Sequence, residues 1–264
     1  MDKKPVSSDL YDKEYYEKYN HGYASFTKSK DLMPDLYNQI KDIDLTGMKI
    51  LDVGCGRGEL IRYAVVKGAE AYGIDYSDAA IEIAKDIVVD LPEDIEKRAY
   101  FETMDAKELK FENDFFDYVF LFDIVEHLHD WELKKCLSEV SRVLKPGGKV
   151  IVHTSPNKNL MNLVRVVARP FGVNLKSSEF HVNEQTPDSL NKYMSENFHG
   201  KLYVLKDKHY WINQMDFRGN LLKTAARITD TLFDNPLIHN LCLAYPFNKI
   251  FTTDIWYKGA KKLN

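Results

Sequence analysis

The chain is 264 residues long, 44% hydrophobic and 29% charged, enough to bury a large core within one elaborated domain. Its net charge of -4 and pI near 6.1 give no global pull on nucleic acid, so no nucleic-acid partner is expected and small ligands come first. The three cysteines, Cys55, Cys136 and Cys242, are odd in number, far apart and without metal-ligand spacing, which argues against a disulfide framework and for a reducing, cytoplasmic setting.

The opening MDKKPVSSDLYDKEYYEKY lacks the apolar core of a signal peptide, and no run of about 18 apolar residues follows, so no transmembrane segment is expected. Tyr11, Tyr15, Tyr16, Tyr19 and Tyr23 mark residues 1–45 as a helical, aromatic flap packing on the domain. From Lys49 to Val152, short β-rich runs alternate with helical patterns, the signature of βαβ units and a mostly parallel sheet. KILDV is the first strand, and the turn Gly54, Gly56, Gly58 leads into a helix carrying Leu60, Ile61, Ala64 and Val65. A second strand ends at Asp75, and Ser77 or Asp78 caps the helix that follows.

The third strand is read at Ala99 to Thr103, and the fourth in FFDYVFLF, whose near-continuous apolar run suits a strand buried on both faces. Leu133, Cys136, Leu137, Val140, Val143 and Leu144 recur with helical spacing until Pro146, Gly147 and Gly148 stop the helix, and KVIVHTS is the fifth strand. Beyond Pro156 the pattern predicts an amphipathic helix over 157–173, a helix starting near Thr186 and Pro187, and strands at 201–206 and 250–259. Apolar insertions fall at 157–182 and 209–248.

LDVGCGRGE carries the strongest chemical signal: Asp52 on the first strand, then glycines that allow a tight turn and close approach of a ligand to the backbone. A dinucleotide fingerprint would space its third glycine one residue further on. Asp75, 17 residues past Gly58, can accept hydrogen bonds from both hydroxyls of a ribose. After the third strand, Asp105 can take the exocyclic amine of adenine and Met104 can pack on the ring. Cys55 lies in the glycine turn, but a small residue is all the turn requires and the sequence places no base beside it, so a nucleophile is not expected.

LDVGCGRGE, YGIDYS, MDA, FDYVFLFDIVEHL and EVSRVLKPGGKVIVHTSPN resemble, in order and spacing, the class I S-adenosylmethionine-dependent methyltransferases. They look closest to the group containing ubiquinone-biosynthesis O-methyltransferases and small-molecule methyltransferases. The resemblance implies an α/β, Rossmann-like, doubly wound seven-stranded sheet, mostly parallel with an antiparallel last strand, over residues 46–264, and S-adenosyl-L-methionine as cofactor. It implies that the turn of Asp52, Gly54, Cys55, Gly56 and Gly58 faces the methionine part, Asp75 with Tyr76 the ribose, Met104, Asp105 and Ala106 the adenine, and Phe122 or Asp123 the region near the methyl group.

A base is needed only if the acceptor must lose a proton, and His127, His153 and His181 are expected near the carboxyl ends of the strands, with His127 and His181 preferred. Asp123, Glu126 and His127 also match a D/E-x-x-E-H pattern similar to the metal site of some relatives; a helical turn without metal is the favoured reading. The acceptor is expected to be a small molecule, sizeable and partly apolar, beneath a lid formed by the two insertions. A homodimer contact is the competing use of those insertions, and Arg165 with Arg169 is a candidate anion contact.

Overall fold

The computed structural model describes residues 4–16, 29–168, 180–205, 231 and 234–263. Seven strands, β1 (Lys49–Val53), β2 (Glu70–Asp75), β3 (Ala99–Thr103), β4 (Phe116–Phe122), β5 (Leu144–Thr154), β6 (Phe198–Leu205) and β7 (Asp254–Lys261), form one sheet in the order β3-β2-β1-β4-β5-β7-β6. All pairings are parallel except those of β7, which runs antiparallel to both β5 and β6. The expected α/β doubly wound sheet is therefore present.

Alternate residues of the strands enter two different cores, as a period of two requires. Leu51, Val53, Val119, Leu121, Val150 and Val152 pack beneath α5 (Asp130–Val143) and α7 (Pro187–Asn197), against Leu133, Leu137, Leu190 and Met194. Ile50, Phe120, Ile151 and Trp256 face the other way, onto α1 (Pro34–Ile40) and α2 (Glu59–Val66), through Leu36, Ile40, Leu60 and Ile61. The remaining described helices are α3 (Asp78–Asp86), α4 (Glu93–Glu96), α6 (Lys158–Ala168), α8 (Pro236–Leu243) and α9 (Asn248–Phe251).

Several boundaries differ from those read in the sequence. Helix α5 ends at Val143, and β5 begins at Leu144, so Pro146, Gly147 and Gly148 lie within an irregular start of the strand, where the pairing with β4 shifts register. β6 starts at Phe198, directly after α7, and β7 starts at Asp254, because residues 248–251 form a helical turn. Tyr19, Tyr23, Arg169 and most of the insertion at 209–248 lie outside the described residues. No described helix is long and apolar enough to cross a membrane.

Candidate active site

The carboxyl ends of β1, β2, β3 and β4 open onto one cavity of about 390 Å³, the place where an open α/β sheet presents ligand-binding loops. Its floor is the glycine turn. Gly54, Gly56 and Gly58 have φ of +74°, +49° and +84°, and a Cβ on Gly54 would stand 2.8 Å from the Ile124 side chain, so glycine is required for both conformation and space. Gly54 and Gly56 line the cavity; Gly58 does not, and instead starts α2 and packs against Ala84 and Phe101.

Asp75, at the end of β2, accepts from the backbone N–H of Gly56 at 3.1 Å and of Ser77 at 3.0 Å. Burial outweighs these bonds and pushes its carboxyl up to about 6. Asp52 is pushed well above the usual carboxylate range by burial, with Glu59 and Asp75 adding to the effect. Cys55 is buried and its thiol is pushed up by burial and then by Asp75 and Asp52, the opposite of what a nucleophile needs. Arg57 is buried and pairs with Glu59 at 2.7 Å, a cation on the cavity wall that the sequence reading left unassigned.

At the opposite wall Met104 and Ala106 are buried beside Asp105, with Tyr76 across the same cavity. Lys107 lies 3.0 Å from Asp105 Oδ2 and 2.9 Å from Oε1 of the buried Glu132 in the first turn of α5. Burial works against its charge, but the bonds to Glu132 and Asp105 prevail and hold the ammonium above its usual range.

The third wall comes from the N-terminal segment. Pro5, Val6, Ser8, Tyr11, Tyr15 and Tyr16 line the cavity. The segment is fastened by Ser77 Oγ donating to Tyr11 O at 2.5 Å and by a 3.1 Å contact between His129 Nε2 and Lys4 O. Within this segment Tyr11 and Tyr16 are buried and pack with Ala80. Among the described residues lining the cavity, none comes from 157–182 or 209–248, and residues 169–179 with most of 209–248, on which the expected cover falls, lie outside the described residues. Arg165 is also otherwise engaged, paired with Glu184 at 2.7 Å.

Phe122 and Asp123 line the cavity at the end of β4. Asp123 adopts a left-handed backbone, φ +52°, unusual for a residue with a side chain. Its Oδ1 lies 2.9 Å from Nδ1 of His153, whose Nε2 lies 3.3 Å from Oδ1 of Asp254. Burial opposes the imidazolium, but Asp123 and then Asp254 overcome it and push His153 up to about 10. His153, weighed as a base in the sequence, is therefore a fixed cation between two carboxylates.

The segment carrying Glu126 and His127 is a 3-10 turn, Val125–His127, not an α-helical face. Asp123 turns to His153, and its place beside Glu126 and His127 is taken by His181: one ligand atom from each of these three lies within 4.8 Å of the others. Glu126 accepts from Thr154 Oγ1 at 2.9 Å, and burial with the nearby Asp123 raises its pKa. Burial and then His181 lower His127 to about 3, leaving it neutral at ordinary pH. His181 is not on the cavity wall but packs edge-on against His127 with ring centroids 4.9 Å apart.

Comparison with known proteins agrees with this architecture. Residues 50–148 match the family described as a methyltransferase domain. The 27-O-demethylrifamycin SV methyltransferase of Amycolatopsis mediterranei is 31% identical over 54% of this chain and 53% of its own length. A ubiquinone biosynthesis O-methyltransferase of Alkalilimnicola ehrlichii is 30% identical over 58% of this chain and 60% of its own. The chain thus spans between half and two thirds of these relatives. A solved structure described as a SAM-dependent methyltransferase from Archaeoglobus fulgidus shares the fold, with a TM-score of 0.60 at 20% identity over 93% of this chain and all of that one. Residues 50–148, which carry the ordered motifs and the parallel core of the β3-β2-β1-β4-β5-β7-β6 sheet, thus match a methyltransferase domain, and the chain is similar in fold to a solved SAM-dependent methyltransferase.

Proposed function

We propose that the protein transfers the methyl group of S-adenosylmethionine to an oxygen or nitrogen of a small, partly apolar molecule. The observation that carries this reading is the single cavity onto which the glycine turn, Asp75, Asp105 and the pair Phe122–Asp123 all open. A nucleoside with an amino-acid tail fits that donor set: carboxylates for hydroxyls and an amine, exposed backbone at the glycines, and Met104 as an apolar wall. S-adenosylmethionine supplies, when bound, a methyl group on a sulfur that is already a good leaving group.

The chain's own task is alignment and exclusion of water, for which orientation contributes about 7–11 kcal/mol in well-ordered systems. Asp75 would hold the ribose, Asp105 the adenine, and the Gly54–Gly56 turn the methionine part. Tyr11, Tyr15 and Tyr16 would close the site over the acceptor, and Leu32, Met33 and Leu36 give it an apolar flank. His127, neutral and on the cavity wall, would take a proton from an acceptor hydroxyl, with His181 packed behind it. One relative is named for 27-O-demethylrifamycin SV and the other for ubiquinone biosynthesis, which supports a small-molecule acceptor over RNA or protein.

A second reading of the acceptor end is favoured by one observation, the clustering of Glu126, His127 and His181 within 4.8 Å. These residues would hold a divalent ion, which would lower the pKa of an acceptor hydroxyl. Two experiments test the function. Titration calorimetry should show binding of S-adenosylhomocysteine, and a screen of acceptor classes for its release should find turnover on small molecules. Binding of NAD with no response to S-adenosylhomocysteine would overturn the proposal.

A further inference from the structure

We infer that Lys107 is a positioning residue for purine recognition: bridged to the buried Glu132, it fixes the Asp105 carboxylate in the orientation that selects a 6-amino purine. The inference rests on the cofactor reading above and adds to it a residue that touches neither of the cofactor's reacting atoms.

Asp105 sits in a turn with its side chain half exposed, where a free carboxylate would sample several rotamers. Here both oxygens are held by one residue. Oδ1 accepts from the Lys107 backbone N–H at 2.9 Å, and Oδ2 lies 3.0 Å from the same residue's Nζ. The ammonium is itself anchored at 2.9 Å by Glu132, whose side chain is only 3% exposed. The other Glu132 oxygen accepts from the His129 backbone N–H at 3.1 Å, closing the capping box of α5. Asp105, Lys107 and Glu132 all line the cavity.

The electrostatics follow from this chain of contacts. Two carboxylates and one ammonium leave a single net negative charge at this wall, and Glu132 is the partner that is buried. Without the Lys107 ammonium, Glu132 would repel Asp105, and Asp105 Oδ2 would lose the contact that restrains it, leaving only the backbone bond to Oδ1. A carboxylate held still rejects a ligand that presents an acceptor where a donor is needed, whereas a carboxylate that can swing away tolerates it.

The test uses the full-length protein and two compounds, S-adenosylhomocysteine and S-inosylhomocysteine, which differ in having an amine or a carbonyl oxygen at the purine 6-position. Wild type should bind the adenosyl compound at least about tenfold more tightly, the scale of a hydrogen bond to a charged group. Lys107→Met alone would strand a buried charge and is prone to unfolding, so the informative variant is Lys107→Met with Glu132→Gln, which keeps an acceptor for the α5 cap. Its preference should fall to about threefold or less, with affinity for the inosyl compound changed less than about twofold. Lys107→Arg alone, with Glu132 intact, should keep the preference. Undiminished discrimination in the folded double variant, or equal loss of affinity for both compounds, would overturn the inference. If wild type bound neither compound, the cofactor reading itself would fall, and this inference with it.

Discussion

The Tyr11 hydroxyl lies 2.9 Å from Nδ1 of His127, although 116 positions separate them in the chain. The same nitrogen is 3.0 Å from the carbonyl oxygen of Phe180, so the N-terminal segment and the loop before α7 meet on one imidazole. Burial, with further contributions from Tyr76 and Tyr15, drives the phenol far above its ordinary range, and Tyr11 stays protonated. Tyr11→Phe should therefore leave S-adenosylhomocysteine affinity within about threefold but reduce turnover about tenfold, the scale of one lost hydrogen bond. His127→Ala should cost about a hundredfold or more. Because His127 titrates at about 3, the rate should show no limb near pH 6.5 from this residue; such a limb, lost in His127→Ala, would contradict the assignment.

Asp75 gives the cofactor site a pH dependence of definite sign. Its carboxyl titrates at about 6 in the folded protein, and only the charged form accepts fully from two ribose hydroxyls. Affinity for S-adenosylhomocysteine should fall as pH drops through about 6, and Asp75→Asn should remove the dependence at a cost of about ten- to a hundredfold in affinity. The raised pKa acts oppositely on the stability of the free protein. The folded state binds this proton more tightly than the unfolded chain, so this contribution is greatest below about pH 4 and is lost as pH rises through 6. Calorimetry at pH 5 and 8, with urea unfolding at the same values, checks both signs.

His153, held between Asp123 and Asp254, stabilises the fold as an imidazolium. Its folded pKa of about 10 lies above the unfolded value near 6.5. Its contribution is thus complete below about pH 6.5 and disappears as pH rises through 10. His153→Leu would leave two carboxylates facing a buried apolar group and should destabilise by about 3–5 kcal/mol at pH 6, the cost of breaking a buried ion pair. The difference from wild type should shrink toward pH 10. A constant difference across that range in urea denaturation would refute the charged assignment.

A divalent ion held by Glu126, His127 and His181 would reveal itself without knowledge of the acceptor. Manganese or zinc at about a hundred times its dissociation constant adds roughly 2.7 kcal/mol to stability, visible as a rise in melting temperature. His181→Ala should abolish that rise. The low pKa of His127 favours the neutral ligand form, and binding should release a proton from Glu126, whose pKa is raised by burial and by Asp123. If neither melting temperature nor chelator treatment registers a metal, the three residues act by proton transfer and packing alone.

Much of this molecule is written locally in its sequence. The glycines at 54, 56 and 58, Ser77 capping α3, and the helical spacing of Leu133, Cys136, Leu137 and Val140 predicted the turn, the caps and the buried faces. These signals survive because turn conformation, capping and side-chain period depend on neighbours within a few positions. The carboxylates at Asp75 and Asp105 were legible for the same reason, since each stands at the end of a strand whose boundary the sequence marks. What tertiary structure alone decided is which distant groups share a charge or a proton. Register brings His153 opposite Trp256 on β7 and next to Asp254, so that a candidate base stands between two carboxylates. The first turn of α5 gives Lys107 its buried partner Glu132, and the strap at 4–16 delivers Tyr11 to His127. Those pairings depend on the path of the chain through space and on the loss of water around each group, and no local pattern of residues encodes either.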